Sequence, residues 1–142
     1  MRPEDRVRVL HMIEAAESAA QFLVGRSRDD LDRDEMLLFA VVHAIEIIGE
    51  AASRVSPEAR AGTPEVPWNA IRLMRNRLIR GYADIDPEVV WATATAEVPA
   101  VLPLLRALVG TDAAEAWAAA ITDNERVGKA LGRGTIRPNV YL

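Results

Sequence analysis

The sequence has no cysteine, seven aromatic side chains and only two histidines in 142 residues. Without thiols there is no disulfide scaffold, no thiol catalysis and no Cys-ligated zinc or iron–sulfur site. The two histidines, His11 and His43, leave little for a His-based metal site. Long apolar runs are missing too. The longest without proline, Met36–Val42, is seven residues, against the ~20 that a membrane helix needs. The N-terminus carries Glu4, Asp5, Arg6 and Arg8 instead of a basic region followed by an apolar stretch, so no secretory signal is expected. The expectation is a cytoplasmic protein without membrane contact. A net charge of −4 gives no global attraction to nucleic acid, so any such contact must use a local patch.

What is present points to helices. Half of the residues are apolar and 24 of them are alanine, a composition that favours packed helices over a sheet. Val9 or Leu10, Ile13, Ala16, Ala20 and Leu23 recur at helical spacing between Pro3 and Gly25, which predicts a first helix. Ser27–Arg33 reads as a charged connection. A second, longer helix is expected from about Asp34, buried along Leu37, Leu38, Val41, Ile45, Ile48, Ala52 and Val55. Ser56-Pro57-Glu58 opens one or two turns, with serine as N-cap and proline at the first helical position. A third helix should run from near Trp68 through Ile71, Met74 and Leu78 to about Gly81. Asp86-Pro87 starts a fourth that reaches about Val109, with a kink or break expected at Pro99 and Pro103. Asp112-Ala-Ala-Glu115 is a capping box for a short helix to about Ile121, and 122–142 reads as an arm, disordered alone or ordered by a partner. The expected fold is all-α: a bundle of four main helices over 1–121, including the short extra helix, followed by that arm.

The most unusual stretch is Val66–Ala83, which holds Arg72, Arg75, Arg77 and Arg80 and no acid. At ~100° per residue, Arg72, Arg75, Ile79 and Tyr82 fall within about 80° of one another on a helix. Arginine offers a planar fork of donors suited to phosphate, and tyrosine adds a stacking face. The plainer alternative is that these arginines solvate the helix and pair with acids elsewhere. His43, Glu46 and Glu50 share one helical face, but a bundle metal site would need a matching cluster on another helix, and none is present. Glu50 is better placed to pair with an arginine of the third helix, such as Arg75. His11 reads as a surface or boundary side chain, and Trp68 and Trp91 as packing residues. Trp117 reads as an anchor of its segment to the bundle or to another subunit.

Ile48-Gly49-Glu50-Ala51-Ala52, Pro67-Trp68, Met74-Arg75-Asn76-Arg77-Leu78-Ile79-Arg80-Gly81-Tyr82, Asp84-Ile85-Asp86 and Val90-Trp91 stand in the order and spacing of one family. Over about Arg6 to Leu108 the chain resembles the HepT-like family, the HEPN-domain toxins of HepT–MntA toxin–antitoxin systems (type VII-like). The resemblance implies a HEPN-type bundle that acts as a homodimeric endoribonuclease needing neither metal nor cofactor, with two motif copies facing a shared cleft. It implies that Arg75 steadies phosphoryl charge, that Asn76 adds a hydrogen bond and that Arg72, Arg77 and Arg80 line the RNA. It also implies that Tyr82 accepts adenylyl groups from an MntA-like nucleotidyltransferase that silences the toxin. The family's catalytic histidine position is Arg80 here. A guanidinium stays protonated and cannot accept a proton, so the resemblance predicts weak or absent RNA cleavage. Two explanations stay open: a histidine-to-arginine variant of a toxic ribonuclease, or a natural arginine in a non-catalytic module that binds RNA, a nucleotide or the partner.

Overall fold

The computed structural model describes residues 1–79 and 84–110. The described residues are helical, with no strand beyond one isolated bridge. The helices are α1 (Pro3–Phe22), α2 (Asp30–Arg33), α3 (Glu35–Arg54), α4 (Pro57–Ala61), α5 (Trp68–Leu73) and α6 (Pro87–Ala92). A 3₁₀ turn, Met74–Arg77, follows α5. α6 passes through a π turn, Thr93–Glu97, into a helical stretch 98–110, so one rod runs from Pro87 to Gly110.

Local chemistry explains the boundaries. Pro3 starts α1, and the chain leaves it through Gly25 at φ 72°, a conformation that costs glycine nothing. The Asp34 carboxylate accepts the Leu37 N–H at 3.1 Å and caps α3. Ser56 caps α4 by accepting the Ala59 N–H at 3.2 Å, and Asp86 caps α6 by accepting the Glu88 N–H at 3.1 Å.

α1 and α3 form the most extensive helix pair, closely packed because Ala15, Ala16 and Ala19 of α1 are buried without bulk. The buried stripe of α1 is Val9, Met12, Ala16 and Ala19. That is a shift from the expected one, since Ala20 is exposed and Ile13 only half-buried. α3 buries Leu37, Val41, Ile45, Ile48 and Ala52 as expected, while Leu38 is half-buried. Ile71, Met74 and Leu78 close one side of the core, and Val90, Val98 and Leu105 of the last rod close another. Burying each such side chain is favourable by about 1.5–3 kcal/mol. α3 and the Pro87–Gly110 rod are long and apolar enough to span a membrane by length and composition, but their apolar faces lie in this core.

Three expectations need correction. The charged connection before α3 contains a helical turn, α2, because Leu31 is almost completely buried among its charged neighbours. The helix from Trp68 does not reach Gly81. It ends at Leu73, tightens into the 3₁₀ turn, and Ile79 then pairs with Ile85 in an antiparallel bridge, with the Asp86 N–H donating to Leu78 O at 2.7 Å. Of the kink or break expected at the prolines of the last rod, the break does not occur. Pro99 would clash with the carbonyl four residues back, and the chain answers with the π turn just before it. The Thr95 hydroxyl takes up the Trp91 carbonyl at 2.6 Å. The capping box Asp112–Glu115, the helix to Ile121, Trp117 and the arm 122–142 lie outside the described residues.

Candidate functional site

A cavity of about 930 Å³ opens where α1, α3 and the 3₁₀ turn meet. That volume is within the range of ligand-binding clefts. α1 contributes Arg8 and His11, one turn apart. α3 contributes a continuous stripe, His43, Glu46, Glu50 and Arg54, at spacings of three and four. The segment after α5 adds Arg75, Asn76 and Ile79. Three arginines and two glutamates give the wall a net positive charge before the histidines are counted.

Glu50 organises the arginines. Its Oε1 accepts Arg54 Nε at 2.9 Å and its Oε2 accepts Arg75 Nη1 at 3.2 Å. The Arg54 hydrogen bond, followed by the charges of Arg54 and Arg75, holds the Glu50 carboxyl below its ordinary value, so it stays ionised. Arg75 spends one N–H on this contact, and among the described residues its remaining guanidinium donors are left for a second acceptor in the cavity. His11 is half-buried. Burial and the neighbouring Arg8 push its pKa below 6.5, so the imidazole is neutral at neutral pH.

The close approach of α3 to this segment is made at Gly49. A Cβ there would lie 3.5 Å from Ile71 O and 3.6 Å from Arg75 Cδ, ordinary contact distances. α3 thus packs Gly49 against the backbone of α5 and the stem of the Arg75 side chain, and holds the Arg75 guanidinium with the next residue, Glu50.

The chain belongs to the HepT-like ribonuclease family. The family model, described as ribonuclease HepT-like, matches residues 12–108. The chain is 34% identical over 88 residues to "Probable ribonuclease HepT" of Thermococcus cleftensis, covering 62% of this chain and 80% of that one. It is also 34% identical over 89 residues to a "Putative RNase" of Caldanaerobacter subterraneus, covering 63% and 80%. A third relative, from Methanocaldococcus jannaschii and also named "Putative RNase", is 31% identical over 90 residues, covering 63% and 83%. No solved structure matches.

This HepT-like chain does not keep Arg72 beside Arg75, as a continuous helix would have done. Arg75 and Asn76 line the large cavity. Arg72 lines a separate pocket with Arg60, Pro57 and Trp68. Arg77 turns to the last rod, where Nη1 and Nη2 meet both oxygens of Glu97 at 2.9 and 2.8 Å. The helix ends at Leu73, and the tighter 3₁₀ turn spreads the following side chains by about 120° each instead of 100°. Arg80 and Tyr82 lie outside the described residues. Among the described residues no group of three or more side chains is placed to hold a metal ion.

Sequence reasoning missed Arg8 and Arg54 as cavity residues and read His11 only as a boundary side chain. The signal was there in part: Arg8 and His11 are one turn apart, and Arg54 continues the His43–Glu46–Glu50 stripe. What the sequence could not supply was the packing of α1 on α3 that joins the two stripes.

Proposed function

We propose that this chain is the ribonuclease toxin of a HepT–MntA-type pair, acting on single-stranded or tRNA-like RNA in the cavity at Arg75. The observation that carries the reading is the Glu50–Arg75 contact at the wall of that cavity, which holds a phosphate-binding fork with donors to spare. In the reaction a 2′-hydroxyl attacks the adjacent phosphorus, and Arg75, with Asn76 beside it, stabilises charge on the phosphoryl oxygens. Arg80 at the family's histidine position cannot take the 2′-hydroxyl proton. General acid–base help is worth about 10²–10⁴-fold, so cleavage through this motif is strongly impaired.

Two copies acting as a homodimer complete the cleft in this reading. Met36 and Phe39 are exposed on α3 and continue the stripe of His43, Glu46 and Glu50, and Ile79 is exposed at the cavity wall. An apolar contact made there would bring two cavities together. Tyr82 is the residue that an MntA-like nucleotidyltransferase adenylylates, adding negative charge to a basic site. Both partners are cytoplasmic.

The test is cleavage of a single-stranded RNA oligonucleotide, with chelator present, by this chain and by Arg80→His. The histidine variant should cleave at least tenfold faster, and Arg75→Ala should remove the gain. Arg80 itself favours one second reading, a module that binds RNA, nucleotide or partner without cleaving. That module would bind RNA with strong salt dependence and cleave with neither residue at position 80.

A further inference from the structure

Composition gives this chain two histidines, and folding brings both to the wall of one cavity, the one that holds Arg75 and Asn76. They come from different helices, His11 from α1 and His43 from α3. We propose that His11 and His43 carry the proton transfers of RNA cleavage in this chain, in place of the imidazole missing at position 80. The proposal rests on the ribonuclease reading above and deepens it, since it names the acid and the base.

The geometry suits two separate roles. His11 is half-buried beside Arg8, which keeps its ring neutral and its lone pair available near neutral pH. His43 is exposed on the outer face of α3, where an RNA strand entering the cavity can reach it. The charged groups around the pair are Arg8 from α1, Glu46, Glu50 and Arg54 from α3, and Arg75 from the 3₁₀ turn. In the reaction His11 accepts the 2′-hydroxyl proton as the 2′-oxygen bonds to phosphorus. The bond from phosphorus to the 5′-oxygen breaks, and protonated His43 gives its proton to that oxygen. One strand ends in a 2′,3′-cyclic phosphate and the other in a 5′-hydroxyl. The two imidazoles have exchanged protonation states and are reset by water, so no other reactant is consumed. Arg75 faces the non-bridging oxygens throughout.

The experiment compares the full chain, His11→Gln, His43→Ala and Arg80→His on a single-stranded RNA oligonucleotide, with chelator present and folding checked by circular dichroism. Expected are slow cleavage by the unaltered chain that leaves a 2′,3′-cyclic phosphate, and a fall of about 10²-fold in each histidine variant. Added imidazole should partly restore His43→Ala, an effect that a packing role would not give. The rate of the unaltered chain should fall on the acid side at a pH below 6.5, where His11 takes up its proton. If His11→Gln fails to fold, the exposed His43→Ala decides alone. Unchanged cleavage by the histidine variants, or a loss that imidazole does not restore, overturns the proposal and leaves the ribonuclease reading standing. Cleavage by Arg80→His with none by the unaltered chain does the same. Absence of cleavage in both overturns the reading as well.

Discussion

Glu50 Oε2 lies 3.2 Å from Arg75 Nη1, and the same carboxylate binds Arg54 through its other oxygen. Both partners of the first pair are nearly half exposed, 46% and 45% of the side-chain surface, so water screens the attraction. The contact therefore does little for stability. Its consequence is directional, because it fixes one corner of the Arg75 fork and aims the rest at the cavity.

Glu50→Gln should accordingly change unfolding free energy by less than about 1 kcal/mol. In an Arg80→His background it should lower kcat for RNA cleavage about tenfold, with KM little changed, because misplacement is felt most in the transition state. Denaturant unfolding and steady-state kinetics check both parts. A large loss of stability with unchanged kcat would make Glu50 a structural residue only.

Asp5 ties the start of α1 to the cap of α4. It is buried and accepts both the Ser56 N–H and the Ser56 hydroxyl at 2.8 Å. The Ser56 backbone hydrogen bond, more than any other influence, holds its pKa below the ordinary 3.8. A carboxylate depressed in this way stabilises the fold above its unfolded value, and the contribution is lost as pH falls through the lower folded value. Asp5→Ala should cost about 2–3 kcal/mol at neutral pH and should weaken the acid dependence below pH 3.8. Unfolding curves between neutral and acid pH measure both.

Gly49 sits inside α3, where glycine is disfavoured by about 1 kcal/mol relative to alanine. A Cβ would make ordinary contacts with Ile71 O and Arg75 Cδ. Gly49→Ala should therefore raise stability by about 0.5–1 kcal/mol. Gly49→Leu should destabilise by forcing α5 away from α3. Thermal unfolding of the two variants separates them.

Incubation with a cognate nucleotidyltransferase and ATP should add AMP to this chain, and Tyr82→Phe should abolish the addition. Intact-mass spectrometry reads the result. Equal modification of Tyr82→Phe would place the acceptor elsewhere.

The sequence revealed most of the architecture where local chemistry is strong. Pro3, Asp34, Ser56-Pro57 and Asp86-Pro87 each mark a helix start, and the apolar spacing of α3 identifies its buried face. It was silent where tertiary contacts override local pattern. Nothing between Trp68 and Gly81 forbids a continuous helix, yet burial of Leu78 and the Ile79–Ile85 bridge draw the chain into a 3₁₀ turn instead. The arginine spacing was read on that longer helix, so Arg72 was placed beside Arg75 when the two line separate pockets. Arg75 and Glu50 were legible because a short ordered motif carries them. Arg8 and His11 were not, since only the packing of α1 against α3 brings them to the cavity.

The central claim is that the cavity at Arg75 cleaves RNA. Its most direct test is the cleavage rate of Arg80→His against the double variant Arg80→His/Arg75→Ala, on single-stranded RNA with chelator present. The account predicts cleavage by the first and a loss of at least 10²-fold in the second. Equal cleavage by both, or none by either, would contradict it.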